Sequence, residues 1–206
     1  MGGSCLRKRG ALGAFLTVIT VWINGCSALP EMHFDGRTVS YKGREYTVHP
    51  QLELKHEHAG ADVGQADGED IFQQIKGLSP KKWLANCMDV NGPCLVYTEK
   101  SLGEIDLKRF AAKEMVVRES GANTREAVTI RDRKKIGRLV ETMSEQPPTK
   151  YSQSHKSKEI KYIYLRSDRY PSVEYVLRYE KDRKGERYLA GDKLVKLGDA
   201  LSDFLK

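Results

Sequence analysis

The sequence has no apolar run long enough to span a bilayer. The apolar run from Ala11 to Ile23 carries no charge and contains 13 residues, whereas a spanning helix needs about 20. Three basic residues, at positions 7–9, precede this stretch. A basic segment followed by a short apolar segment is the order found in secretory signal peptides. The sequence therefore predicts export rather than a permanent transmembrane helix.

Recognisable catalytic motifs are also missing. There is no G-x-S-x-G, no His-Glu-x-x-His and no glycine-rich phosphate loop after a predicted strand. His155 has Ser152, Ser154 and Ser157 around it, but all lie in a polar, basic segment that is predicted to be an irregular loop. Such a loop cannot hold reacting groups in place. We therefore expect a non-enzymatic protein without a cofactor; an exported hydrolase of wall or peptide substrates and a metal-binding protein are the alternatives.

The end of the apolar stretch resembles a bacterial lipobox. Ile23-Asn24-Gly25-Cys26 has an aliphatic residue at −3, a small residue at −1 and a cysteine, although Asn24 departs from the usual small or β-branched residue. The resemblance implies a diacylglyceryl thioether on Cys26, cleavage before it and acylation of the new amino terminus, with palmitate as a typical acyl group. It predicts a protein anchored by lipid at the extracytoplasmic face of the cell membrane. An uncleaved signal anchor and a plain secreted protein are the alternatives.

Charge is unevenly distributed along the remaining chain. Residues 27–80 carry nine acidic and five basic groups, whereas residues 131–170 carry eleven basic and five acidic groups. Basic patches often bind nucleic acid, but export removes that partner and leaves anionic lipid headgroups and wall polymers. The basic residues Lys134, Lys135 and Arg138 are predicted to contact such a surface. A simply solvated helix face is the alternative.

The pattern of hydrophobic residues predicts an α+β fold. The expected architecture is a β-rich N-terminal part followed by an antiparallel sheet covered by two helices, one at 132–144 and one at the C-terminus from Leu194. A hairpin is predicted around Lys42-Gly43, a loop over residues 59–70 and a helical turn from Ser79-Pro80. The predicted organisation is a signal peptide at residues 1–25, a β-rich lobe at 26–98 and an α+β lobe at 99–206.

Two of the four cysteines flank a predicted turn. Cys87 and Cys94 are seven residues apart, on either side of Asn91-Gly92. In an oxidising compartment two neighbouring cysteines are more often bonded than free. We predict a disulfide; two small buried apolar side chains are the alternative.

Histidines and tyrosines supply the remaining candidate binding residues. His49, Glu53, His56 and His58 are the best metal candidates, since His56 and His58 would share one face of a strand and could bind zinc or copper. Solvated histidines at a frayed strand end explain the same pattern. Tyr162 and Tyr164 would lie on one face of a predicted strand, and Ile163 and Leu165 on the opposite face. Beside Lys161 and Arg166, the two tyrosines could form a platform for a sugar, peptide or protein partner, or merely stabilise the sheet.

Three segments resemble a known class of protein. Residues 41–46, 75–84 and 129–132, which read YKGREY, IKGLSPKKWL and TIRD, are similar to segments of small uncharacterised lipoproteins of Gram-positive bacteria. This resemblance implies a lipid anchor and a non-catalytic role in binding, sensing or interaction at the cell envelope. It carries over no functional residue.

Overall fold

Strands dominate the fold. The computed structural model describes residues 29–87, 92–120, 128–151 and 156–198, of which 51% lie in strands and 15% in helices. The first seven strands are β1 (Glu31–Phe34), β2 (Thr38–Tyr41), β3 (Arg44–Leu54), β4 (Ala59–Ala66), β5 (Asp70–Ile75), β6 (Trp83–Asn86) and β7 (Cys94–Glu99). Six more follow: β8 (Glu114–Glu119), β9 (Val128–Ile130), β10 (Ser157–Arg166), β11 (Val173–Asp182), β12 (Arg187–Ala190) and β13 (Leu194–Lys196).

Helices are few and mostly short. The α-helices are α1 (Leu107–Phe110) and α2 (Arg133–Glu145), and short 3₁₀ turns occupy His56–His58 and Lys100–Leu102. The α2 helix was predicted correctly, because its signals are local. The Asp132 carboxylate accepts hydrogen bonds from the first backbone N–H groups, and one apolar stripe is buried. Among the described residues no helix is both long and apolar enough to cross a membrane.

The first seven strands close into a barrel. Their order is β2-β1-β4-β5-β6-β7-β3, and a further pairing of β3 with β2 completes the ring. All pairings in the ring are antiparallel except that of β1 with β4. Each of the seven strands contributes one residue to a buried cluster that fills the barrel: Met32, Val39, Tyr46, Ala66, Phe72, Leu84 and Tyr97. The barrel therefore encloses packed side chains.

The later strands extend the sheet away from the barrel. The order continues from β3 through β11, β10 and β8 to β9, while β12 and β13 continue from the other part of β11. A second and larger core lies on one side of this extension. It combines Ile163, Leu165 and Tyr175 of the sheet with Leu52 and Trp83 of the barrel strands, and it also includes the buried face of α2. The long strand β3 thus belongs to both parts.

The predicted α+β class is wrong. A sheet covered by two helices is not what the chain forms, since a seven-stranded closed barrel and six further strands make up the fold. The expected C-terminal helix began at Leu194, but Leu194–Lys196 forms β13 and pairs with β12. Residues 199–206 lie outside the described part of the chain. The spacing of the leucines fitted a helix, but pairing with β12 overrides such a local pattern.

The β-rich N-terminal half contains both correct and incorrect predictions. The Lys42-Gly43 hairpin is confirmed, and both residues have positive φ, 47° and 72°. Residues 59–66, predicted to be loop, form β4, where Gly64 permits the close approach of β1. A helical turn does begin at Ser79-Pro80, since the Ser79 carbonyl accepts from the backbone N–H groups of Lys82 and Trp83. It does not extend through Trp83 and Leu84, which already belong to β6. The division into lobes at residues 26–98 and 99–206 stays a prediction.

Candidate functional site

One face of the extended sheet concentrates aromatic and charged side chains. Successive strand residues point to opposite faces, so Ile163 and Leu165 enter the core while Tyr162, Tyr164 and Arg166 lie on the other side. Neighbouring strands add residues of the same parity. We call this surface the tyrosine–arginine face: it comprises Arg118, Tyr162, Tyr164, Arg166, Glu174 and Arg178.

Arginines and tyrosines alternate across this face. Tyr162 lies opposite Arg118 of β8 and Arg178 of β11. The Arg118 guanidinium lies 4.7 Å from the centre of the Tyr164 ring, a distance at which a cation is attracted to an aromatic face. Both tyrosines are half-buried. The arrangement can stack a flat apolar surface of a ligand while offering guanidinium groups to an anionic substituent.

A row of ion pairs fixes one edge of the face. The Arg166 guanidinium donates to Glu174 at 2.7 Å and to Glu114 at 2.9 Å. Burial alone would raise the pKa of Glu114, but hydrogen bonds and charges from Arg166 and Arg131 outweigh burial and lower that pKa. Burial alone would lower the pKa of Arg166, but hydrogen bonds and charges from Glu174 and Glu114 outweigh burial and raise that pKa. These groups therefore remain charged and hold the arginine side chain in position.

The face ends in a cleft beside β3. Its volume is about 470 Å³, and its lining includes Glu53, His56, Arg118, Tyr162, Tyr164 and Glu174. Burial raises the pKa of Glu53, and the nearby charge of Glu174 raises it further. Glu53 is the register partner of Glu174, which already binds Arg166. The cleft thus offers two neighbouring carboxyl groups, of which Glu53 has a raised pKa and Glu174 is bound to Arg166.

Contrary to the prediction, Lys161 is not part of the tyrosine–arginine face. It was expected beside the two tyrosines, but the strand alternation turns it to the opposite side, where it is buried and pairs with Glu159 at 3.0 Å. Arg166 does lie with the tyrosines. Arg118 was not identified from the sequence, because the pairing of β8 with β10 depends on residues far apart in the chain. Arg178 lies in β11, which forms a hairpin with β10, so the alternation of this hairpin could have identified it.

His56 and His58 do not share a strand face. β3 ends at Leu54, and the two histidines form a 3₁₀ turn leading into β4, so the predicted strand geometry for a metal site is wrong. The Nε2 atom of His56 lies 2.8 Å from the Gly92 carbonyl oxygen. His58 lies instead near the Glu57 carboxylate, at 3.7 Å. The turn separates the two imidazoles that the alternation would have placed together.

The two predicted cysteine partners do come together. The sulfur atoms of Cys87 and Cys94 lie 2.03 Å apart, at disulfide distance. Cys87 follows β6 and Cys94 begins β7, and these two strands pair antiparallel. The predicted proximity is confirmed. The disulfide links the end of β6 to the start of β7, beside the cleft.

His49 lies in a different cleft from the metal candidates Glu53 and His56. His49 belonged to the metal candidates, yet it is only 7% exposed and neither ring nitrogen has a hydrogen-bond partner among the described residues. It lines a second cleft, of about 380 Å³, together with Glu104 and Asp192. Burial lowers the pKa of His49, while these two carboxylates oppose that change. The local sequence around His49 could not indicate this environment, because Glu104 and Asp192 are brought to it from distant parts of the chain.

The predicted anionic-surface residues are exposed on α2. Lys134, Lys135 and Arg138 all face away from the buried stripe of Ile136, Leu139 and Met143. Their accessibility permits contact with a surface; the contact itself stays a prediction. The predicted lipid-attachment residue, Cys26, lies outside the described residues.

Comparison with known proteins gives no family assignment for this arrangement. The chain matches no protein-family model, no curated protein and no solved structure.

Proposed function

We propose that the protein is a non-catalytic binding lipoprotein of the bacterial cell envelope, anchored at the extracytoplasmic face of the membrane. Support for the anchor comes from the sequence, in which a basic start and a short apolar run lead to the lipobox-like Ile23-Asn24-Gly25-Cys26. The resemblance to small Gram-positive lipoproteins favours the same interpretation. An oxidising location suits the disulfide-distance pair Cys87 and Cys94.

The observation that carries the binding role is the tyrosine–arginine face with its adjoining cleft. Tyrosine rings suit the flat faces of sugars, guanidinium groups suit carboxylates, and glutamates accept from hydroxyl or ammonium groups. Fragments of the bacterial cell wall that join an amino sugar to a short peptide combine all of these groups. We therefore propose a ligand of this mixed sugar–peptide chemistry.

The anchor is tested by mass spectrometry of protein taken from bacterial membranes. The N-terminal peptide should begin at Cys26 and carry the mass of the acyl groups, and the protein should partition into detergent. A Cys26→Ala variant should retain its signal segment. A soluble mature protein that begins at another residue would contradict the proposal.

The binding role is tested with soluble N-acetylmuramyl-peptide fragments and isothermal titration calorimetry. Tyr164→Ala should weaken binding about tenfold, equivalent to roughly 1.4 kcal/mol. Tyr41→Ala is a matched control, because Tyr41 also has a cation over its ring, Lys42 at 4.9 Å, but it lies on the barrel. Equal loss in both variants, or no binding by the native protein, would count against a sugar–peptide ligand at this face.

The alternative of an exported hydrolase is favoured by the pairing of Glu53 with Glu174. Hydrolysis of glycosidic bonds uses two carboxyl groups that flank the bond. Glu53 and Glu174 lie opposite each other on neighbouring strands that line the cleft, and burial raises the pKa of Glu53, as a proton-donating carboxyl group requires. Incubation with purified wall glycan would decide between the two functions. New reducing ends that disappear in Glu53→Gln indicate hydrolysis, whereas binding without new reducing ends indicates the non-catalytic role.

A further inference from the structure

Three potential metal ligands meet at the rim of the cleft. One nitrogen of His56 and the sulfur atoms of Cys87 and Cys94 all lie within 4.8 Å of one another. The strand pairing brings them together: Leu54, at the end of β3, is the register partner of Cys94, and His56 follows two residues later. No other group of three His, Cys, Asp or Glu residues with this spacing occurs in the described ranges.

We propose that these three residues form a binding site for a thiophilic cation, Zn²⁺ or Cu⁺, when Cys87 and Cys94 are reduced. Two thiolates and one imidazole are the ligands that such borderline or soft metals prefer. Zinc–sulfur bonds of about 2.3 Å place two thiolates roughly 3.8 Å apart around a tetrahedral ion. Parting the sulfur atoms to that distance requires only a small movement. The proposal does not rest on the ligand proposed for the tyrosine–arginine face, although His56 also lines the adjoining cleft.

His56 is held in an orientation that suits a ligand. The Gly92 carbonyl oxygen can only accept a hydrogen bond, so the Nε2 atom 2.8 Å away must carry the proton. The lone pair is then on Nδ1, which becomes the metal-binding atom. A metal-bound histidine that donates its other N–H to a carbonyl group is a common arrangement, because the hydrogen bond fixes both the tautomer and the ring.

Access and charge are also compatible with metal entry. Cys94 is fully buried, Cys87 is half-buried and His56 is exposed, so a cation can approach from the side of His56. Three protein ligands leave the fourth tetrahedral position to a water molecule. The site therefore resembles an open one, at which a metal can be exchanged.

Metal binding at this site depends on a reduction step. A dithiol reductant attacks the Cys87–Cys94 bond, transfers two electrons and becomes a cyclic disulfide, and the two cysteines are released as thiols. Binding of Zn²⁺ then displaces one proton from each thiol. In the oxidised form Cys87 and Cys94 have no thiolate to offer, so the disulfide and the metal-bound form of this site are mutually exclusive.

The test uses the full-length protein in detergent, reduced under anaerobic conditions with a phosphine. Titration with Co²⁺ should give sulfur-to-metal charge-transfer absorption, and Zn²⁺ should displace Co²⁺ and compete with a chromophoric chelator. The oxidised protein should show no such absorption. His56→Gln should weaken Zn²⁺ binding about tenfold or more, equivalent to at least roughly 1.4 kcal/mol.

His58→Gln is the matched control, since His58 lies in the same 3₁₀ turn but outside the three-ligand group. It should bind like the native protein. Because Cys94→Ser could disturb the core, the decisive comparisons are reduced against oxidised protein and His56→Gln against His58→Gln. Equal affinity in the two redox states, equal affinity in the two histidine variants, or no Co²⁺ absorption by the reduced protein would each overturn the site.

Discussion

His49 shows at the scale of a single residue how burial can conflict with polarity. Its ring is enclosed with Tyr175 as an aromatic neighbour, at 6.3 Å between ring centres. Neither nitrogen makes a hydrogen bond of normal geometry with a described residue, and the backbone of Ile105 provides only a minor interaction. A buried polar group that lacks a hydrogen bond destabilises the folded state. Because burial lowers the pKa of His49, the folded protein holds the neutral form where the unfolded chain would already bind a proton.

Replacing this residue with an apolar ring should therefore stabilise the protein. We expect His49→Phe to increase the free energy of unfolding by about 1 kcal/mol at pH 7.5. In the native protein, the unfolded state binds more protons below the ordinary pKa of 6.5, so stability should fall as the pH decreases from 6.5 towards the lowered folded-state pKa. His49→Phe should lack that contribution.

Urea denaturation of both proteins between pH 5 and pH 8 measures the two effects. His33→Phe is the control, because it makes the same substitution at an exposed histidine. An acid-side loss of stability that is as large in His49→Phe as in the native protein would show that another group causes it.

The sequence predicted those residues whose environment depends on near neighbours. Cys87 and Cys94 flank one hairpin, so their proximity followed from a local turn. Asp132 caps its helix through backbone N–H groups only two and three residues ahead. Arg118 could not be identified as a member of the tyrosine–arginine face, since its position depends on the register between β8 and β10, which are separated by tens of residues.

At the scale of elements, β4 shows why a glycine-rich segment need not be a loop. A Cβ atom at Gly64 would lie 2.6 Å from Cε of Met32 and 2.7 Å from the carbonyl oxygen of Pro30. The missing side chain therefore allows β1 to approach β4 in the parallel pairing that helps to close the barrel. Composition alone indicates flexibility at this position, whereas the partner strand makes it a tight contact.

Gly64→Ala and Gly137→Ala should have opposite effects on stability. The first forces β1 and β4 apart and should reduce the free energy of unfolding by about 2 kcal/mol, as overpacking does. The second lies in α2 with no atom within 4 Å of the added Cβ, and should increase the free energy by about 1 kcal/mol. Thermal and urea denaturation of the two variants would measure both changes. A neutral Gly64→Ala would show that the β1–β4 contact adjusts easily.

At the scale of the whole molecule, distant pairings determine the architecture. The ring of strands closes through β1 with β4 and β2 with β3, and only the latter is a hairpin that a turn motif can predict. The second core forms because β11 pairs with β3 across more than a hundred residues. The pattern of single segments predicted local elements such as α2 and the Lys42-Gly43 hairpin, but it could not show that the strands close into a barrel.

The basic residues on the exposed face of α2 do not stabilise the helix itself. Arg133, Lys134, Lys135 and Arg138 are exposed in its first half, and the first turn contains no acidic residue. Positive side chains near a helix N-terminus oppose the helix dipole, at a cost of up to roughly 1 kcal/mol each. Their placement therefore favours a role in binding an anionic surface, which a lipid anchor would keep nearby.

We expect the lipid-free chain from Ser27 onward to co-sediment with anionic vesicles at low salt. Each basic group near the surface can contribute up to about 1 kcal/mol, and screening shortens this attraction to about 8 Å at physiological salt. Charge reversal of Lys134, Lys135 and Arg138 to Glu should therefore release the protein, as should salt near 0.5 M, a rough choice well above physiological screening. The matched control reverses three exposed lysines of the barrel region, Lys42, Lys81 and Lys82, with the same change in net charge. A localised contact through α2 predicts that only the α2 variant loses binding. If both triple variants lose binding equally, the net charge of the protein, not the α2 face, is responsible for the attraction.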